Sequence, residues 1–334
     1  MPMKIDYPQY YKTFRCIASA CPDSCCHEWE VDVDAEAAAH YRTLSGDLGD
    51  RLRQVLRDTE HGTCMTIEND RCPMWRQDGL CQIQAELGHD ALCHTCRTFP
   101  RLRHDYGDFA ELGLELSCPE AARLILSGQG QAICTEIAPG DTEPGYDADI
   151  MSTLRKSRNH IHTLLADPVY SAPQLLTILL LYAHDVQSEI DGGEPAVLAP
   201  ENALALGKKY ANLVNVPQFL NFFKNLDILT DRWRDRLDSP NPGPWIGSYR
   251  HLIRYFVDRY WFQAVSDFDL VCRAKMIVSA CILIHILGGD LTETAQLFSK
   301  EIENDPDNVE AILDGAYTSP ALTDLHLLSL LISG

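Results

Sequence analysis

The chain lacks a surplus of positive charge: 28 Lys and Arg stand against 48 Asp and Glu, a formal net charge of −20. Phosphate backbones are gripped by clustered Lys and Arg, so nucleic acid is not an expected partner. An acidic surface of this kind attracts basic proteins or peptides, and it also keeps a chain in solution. Long hydrophobic runs are missing too. The longest, from Met276 to Leu287, is too short to span a bilayer and carries His285 inside it, which predicts a buried core helix and no membrane association. The first residues, MPMKIDYPQYYKTF, hold no apolar stretch of the kind a secretory signal needs, so a cytoplasmic protein is expected. No segment shows sustained period-two alternation, and no fixed-period repeat is visible, so strands are not predicted. Nor does a strand lead through a glycine-rich turn into a helix. The closest glycine signal, SGQGQA at 127–132, follows a helix and reads as its C-cap.

Cysteine is what the chain has in excess. There are thirteen, and eleven of them fall between Cys16 and Cys134. The first group is C-x4-C-x3-C-C, formed by Cys16, Cys21, Cys25 and Cys26. The second is Cys72 and Cys81, flanking a predicted turn at QDG; the third is the CHTC pair Cys93 and Cys96; Cys118 stands apart in LSCPEAA. In a reducing cytosol, thiols at this density point to metal binding more than to disulfides. Thiolate is a soft ligand suited to zinc or to an iron–sulfur cluster, and spacing does not separate the two. Four donors close such a site, so separate loops must each contribute. Adjacent Cys25 and Cys26 cannot both face one small ion, which leaves two four-coordinate sites, or one site plus spare thiols. Cys64 and Cys134 read as simple core cysteines, as do Cys272 and Cys281 in their apolar helical surroundings. His27, His89 and His94 are possible replacement ligands, ranked below the thiols.

Composition divides the chain. Residues 1–135 form the cysteine-rich, metal- or cluster-binding region, and residues 150–334 an all-α helical domain. The acidic, Pro- and Gly-containing segment 136–149 is a linker or surface loop. The expected fold is thus mainly α, with an irregular metal-binding N-terminal region packed on helices. Helix starts are marked by Asp34, by Pro119 in a first turn, by the Ser171/Gln174 capping-box spacing and by Asp290 with Glu293 three residues on. An apolar periodicity runs through 171–190, 200–214, 216–237 and 249–265, and Asp269–Leu287 is apolar nearly all round.

Three segments taken together, YYKTFRCIASACPDSCCHEWEVDVD, CPMWRQDGLCQIQAELGHDALCHTCRTFPR and LELSCPEAARLIL, resemble the flagellin lysine-N-methylase family, which shares its cysteine-rich segment with zinc- or iron-chelating proteins. The likeness continues into IRYFVDRYWFQAVSDFDL and AQLFSKEIENDPDNVEAIL. It implies a protein-lysine N-methyltransferase that uses S-adenosylmethionine on flagellin, with an iron–sulfur cluster, 4Fe-4S in type, held by cysteines; zinc is the alternative. The motif cysteines carried over are Cys16, Cys21, Cys25, Cys26, Cys72, Cys81, Cys93, Cys96 and Cys118.

That reaction needs the neutral lysine amine, which at pH 7 is only about one in two thousand of the population, so a site must desolvate the ammonium and accept its proton. Tyr10, Tyr11, Glu28, Glu111 and Glu115 are the candidates near the cysteines, each of which also reads as a packing tyrosine or a solvated carboxylate. Trp29 could face a cationic centre or simply fill a core. Arg97, Arg101 and Arg103 could bind the cofactor's carboxylate, balance a thiolate cluster, or form a basic surface turn. A non-catalytic zinc- or iron-binding protein is the competing expectation.

Overall fold

The computed structural model describes residues 2–60, 62–140, 143–210 and 214–333. Among the described residues, seven strands appear where none was expected. β1 (Pro2–Pro8), β5 (Arg101–Asp105), β6 (Phe109–Leu114) and β7 (Ile133–Pro139) form one sheet in the order β5-β6-β1-β7. β1 runs parallel to β6, with Ile5 opposite Ala110, and antiparallel to β7, with Ile5 opposite Glu136. β2 (Val31–Val33), β3 (Leu56–Thr59) and β4 (Gly62–Met65) form a second sheet in the order β2-β4-β3. The expectation of an irregular N-terminal region is therefore corrected: it is built on two small sheets. These strands are short and half-exposed, so their alternation spans too few residues to stand out. β1 did carry the signal, with Met3, Ile5 and Tyr7 on one face and Met3 and Tyr7 buried. Segment 136–149 opens inside β7, pinned by β1 through Pro139, and residues 141–142 lie outside the described residues.

The helical half is as expected. Its long helices are Ala148–Ala166, Ala172–Ile190, Tyr249–Tyr260, Leu270–Leu287 and Pro306–Thr318. The predicted caps form. Asp34 accepts from Ala37 N, Asp290 from Glu293 N, and Ser171 with Gln174 completes a capping box. The helix opened by Pro119 ends at Leu126, and Gly128 follows with φ +73°. The periodic stretch 200–214 yields the helix Pro200–Tyr210, and 211–213 lie outside the described residues. Leu270–Leu287 is long and apolar enough to cross a membrane by composition, yet all eighteen residues are buried in the protein. Its His285 stacks on Trp245 at 3.9 Å, and burial lowers its pKa.

Two hydrophobic cores result. The large one joins the helices to Phe14, Phe109, Leu114 and Leu116, so the four-stranded sheet packs with the helical half. The small one contains Val31, Val33, Tyr41, Leu52, Met65, Met74 and Ile83, together with Cys72 and Cys93. The cysteine motifs grow out of this small core.

Candidate functional site

The small core fixes the cysteine loops through a few backbone anchors. Asp34 follows β2 and caps the helix Ala35–Thr43 with one carboxylate oxygen; the other accepts from His94 N at 2.6 Å. The cap thus also holds the CHTC loop. Tyr41, fully buried on that helix, donates its hydroxyl to Ala91 O at 2.7 Å just upstream. Cys72 N donates to Cys26 O at 2.8 Å, which seats the second motif against the first. The QDG turn closes as expected, with Gly79 at φ +79° and Arg76 N donating to Leu80 O.

These anchors gather the thiols. Cys26 lies between Cys25 and Cys72 and interacts with both: its own thiol is pushed up, Cys25 is pulled down to about 7, and Cys72 is lowered. Cys93 and Cys96 form a second pair, in which Cys93 falls to about 7 and Cys96 rises. Cys96 also feels the charge of Cys25 and Cys72, and Cys81 that of Cys72 and Cys25. Six thiols from three separate motifs therefore share one electrostatic neighbourhood. Cys16, Cys21 and Cys118 make a smaller set, in which burial raises Cys21 and pushes Cys118 up to about 12; Cys21 also senses Cys25. All thirteen cysteines are free thiols.

The donor chemistry suits a soft cation, for two reasons. Cys25 and Cys93 are each lowered to about 7 beside a neighbouring thiol, and thiolate is what zinc and iron–sulfur clusters take. The side chains are neighbours and not yet a shell: among the described residues, no three His, Cys, Asp or Glu are placed so that they could hold an ion. Cys64 is buried in β4, its thiol 3.6 Å from Glu30; Cys134 is only half-buried on the edge strand β7. Among the histidines, His27 faces Asp23 and Glu28 at 3.7 and 3.4 Å, while His89 and His94 are exposed.

The other candidates scatter. Tyr10 lines a narrow crevice with Gln131, His251, Arg254, Tyr255 and Asp258, a lining that contains no cysteine. Burial pushes its hydroxyl up. Tyr11 and Arg101 do meet, with the guanidinium 5.9 Å from the Tyr11 ring and 5.2 Å from that of Phe14. Arg97 is exposed, and Arg103 pairs with Asp105 at 2.8 Å. Glu111 is bound to Arg158 through both oxygens. Glu115 is half-buried, which raises its carboxyl, and Ser117 donates to it at 3.0 Å. Glu28 takes the unusual backbone angle φ +76° and pairs with Lys300 at 2.8 Å; the same ammonium lies 4.8 Å over the Trp29 ring. Trp29 does face a cation, one supplied by the protein itself. Sequence reading missed Lys300, whose only signal was a lysine on the buried side of AQLFSKEIE.

No protein-family model and no solved structure matches the chain. Over 127 residues, 36% of this chain, it is 32% identical to the flagellar biosynthetic protein FliU of Salmonella muenchen, covering 75% of that protein. It is likewise 32% identical to the lysine-N-methylases of Salmonella typhimurium and Salmonella choleraesuis, but spans only 32% of the length of either. Given the extent of FliU that is covered, the chain belongs to the family of the flagellar biosynthetic protein FliU.

Proposed function

We propose that the chain is a protein-lysine N-methyltransferase, with S-adenosylmethionine as methyl donor, flagellin as substrate and a cysteine-held iron–sulfur cluster. The observation that supports the reading is that six thiols from three separate motifs share one electrostatic neighbourhood, in a chain similar to lysine-N-methylases. The four ligands of the cluster would come from among Cys25, Cys26, Cys72, Cys81, Cys93 and Cys96, with Cys16, Cys21 and Cys118 beside them. When bound, such a cluster supplies an iron that fixes the cofactor or a cross-link that holds the loops. The amine nitrogen is itself the nucleophile, so the protein's tasks are to strip water from the ammonium, accept its proton and orient the methyl group. Glu115 is the candidate base best suited by its surroundings, because burial favours its protonated form. Anaerobic purification followed by iron, sulfide and zinc analysis, then incubation with methyl-labelled cofactor and flagellin, tests the reading. Label on flagellin lysines is expected. Its absence from cluster-replete protein sinks the proposal.

A second reading, a non-catalytic zinc- or iron-binding protein, is favoured by the way β1 ends. It runs through Pro8 into the short helix Gln9–Thr13, in place of the glycine-rich turn that cradles nucleotides in many methyl-transfer folds. Tightly held zinc without cofactor binding in calorimetry would select it.

A further inference from the structure

Lys300 sits in the π-helical turn Ser299–Glu303, which continues the helix Leu291–Phe298; all five residues of the turn are buried. π-turns displace one side chain from its regular helical position and recur at functional sites. Here the displaced segment points a lysine, 1% exposed, away from its own helices and toward the cysteine loop. Its ammonium meets Glu28 at 2.8 Å and Asp23 at 3.4 Å and covers the Trp29 ring. One turn earlier, Gln296 donates to the same Asp23 carboxylate at 3.0 Å and to Ser117 O, next to Cys118, at 2.9 Å. Trp29 in turn donates its ring N–H to Cys25 O at 3.0 Å. Every acceptor of this pair therefore lies within two residues of a motif cysteine or on its chain neighbour.

A buried ammonium persists only where it is paired, so these partners are held firmly. The pairing closes across about 277 residues of sequence. It costs the loop something in return: Glu28 adopts a left-handed backbone that a residue with a side chain rarely takes.

We propose that Gln296 and Lys300 form a latch by which the helical half holds the Cys16–Cys26 loop and the Ser117–Cys118 turn together, making Lys300 a positioning residue of the thiol site. The latch rests on the thiol cluster being the working site, but the readout below requires neither metal nor activity.

In the reduced, metal-free full chain, site-resolved alkylation by iodoacetamide reports each thiol separately, with buried Cys272 and Cys281 as internal controls of the helical fold. Lys300→Met is expected to speed alkylation of the half-buried Cys21 and Cys26 at least fivefold while the two controls stay slow, and Lys300→Arg to restore most of the protection. The double variant Asp23→Asn/Glu28→Gln removes the same counter-charges from the loop side and substitutes no residue of the helical half; it leaves the Lys300 ammonium unpaired, so Cys272 and Cys281 again report the helical fold, and it is expected to reproduce the effect. Unchanged loop thiols in the double variant, or Cys272 and Cys281 accelerating in step with them there, would overturn the latch. Failure of the unaltered protein to bind zinc or iron would count against the proposed function and leave the latch standing.

Discussion

Glu303 has a side chain with no exposed surface, and it accepts from Tyr255 and Tyr260 at 2.9 Å each while pairing with Arg259 at 3.0 Å. Its replacement by Gln keeps the volume but takes from the largely buried Arg259 its directly paired counter-charge. The expected cost is about 3 kcal/mol, read as a lower urea midpoint. Asp258 shows the opposite face of burial. Burial opposes its charge, yet His162 at 2.7 Å together with Arg158 and Arg254 outweighs that and lowers its carboxyl. A carboxyl lowered on folding stabilises the protein above its unfolded-state value near pH 4, and that stabilisation is lost as pH falls through the folded-state value. Since 35% of its side-chain surface reaches water, the effect is screened and modest. Melting curves from pH 7 to pH 3 should show a shallower acid decline for Asp258→Asn than for the unaltered chain; equal slopes would rule the linkage out. The tyrosines on Glu303 and the histidine on Asp258 are not visible from sequence, because they stand 43 to 96 positions away, whereas Arg254 is an i,i+4 neighbour of Asp258.

At the scale of single elements, local rules served well. Asp34, Ser171 and Asp290 cap the helices they precede, because a short side-chain oxygen is the nearest acceptor for unpaired N–H groups. Asp34 does more than its spacing announced, since it also holds His94 N of the CHTC loop. Asp34→Ala should therefore cost more than the ~1 kcal/mol of an ordinary cap, and should raise exchange at the amide of His94. A loss confined to the helix Ala35–Thr43, with the His94 amide unchanged, would remove the second role. The strands are where local reading failed. β2 is three residues long and β7 lies mostly in solvent, so each depends on a partner strand for its identity. An acidic segment with Pro and Gly passed for a linker, although β1 turns its first part into a paired edge.

At the scale of the whole molecule, two cores of unequal size predict unequal resilience. The large core carries Trp233, Trp261, Phe256 and Phe298, all fully buried; the small one has few large side chains and two cysteines among its members. Small cores commonly need cross-links or metal to hold. If metal cross-links the cysteine loops, stripping it with a chelator should release amide protection in residues 15–98 and leave 148–333 protected in hydrogen exchange. Loss of protection in both regions at once would show a single cooperative unit.

Sequence by itself determined the helices, their caps and the existence of a thiol-rich region, since each of these follows from residues a few positions apart. Spacing also marked Cys72 with Cys81 and Cys93 with Cys96 as local pairs. Tertiary structure decided which thiols become neighbours, that the four-stranded sheet joins the helical core, and that Lys300 and Gln296 reach the cysteine loop from the far end of the chain. Those outcomes depend on burial, and burial is a property of the folded whole: a charge or thiol gains its partner only when the chain closes around it.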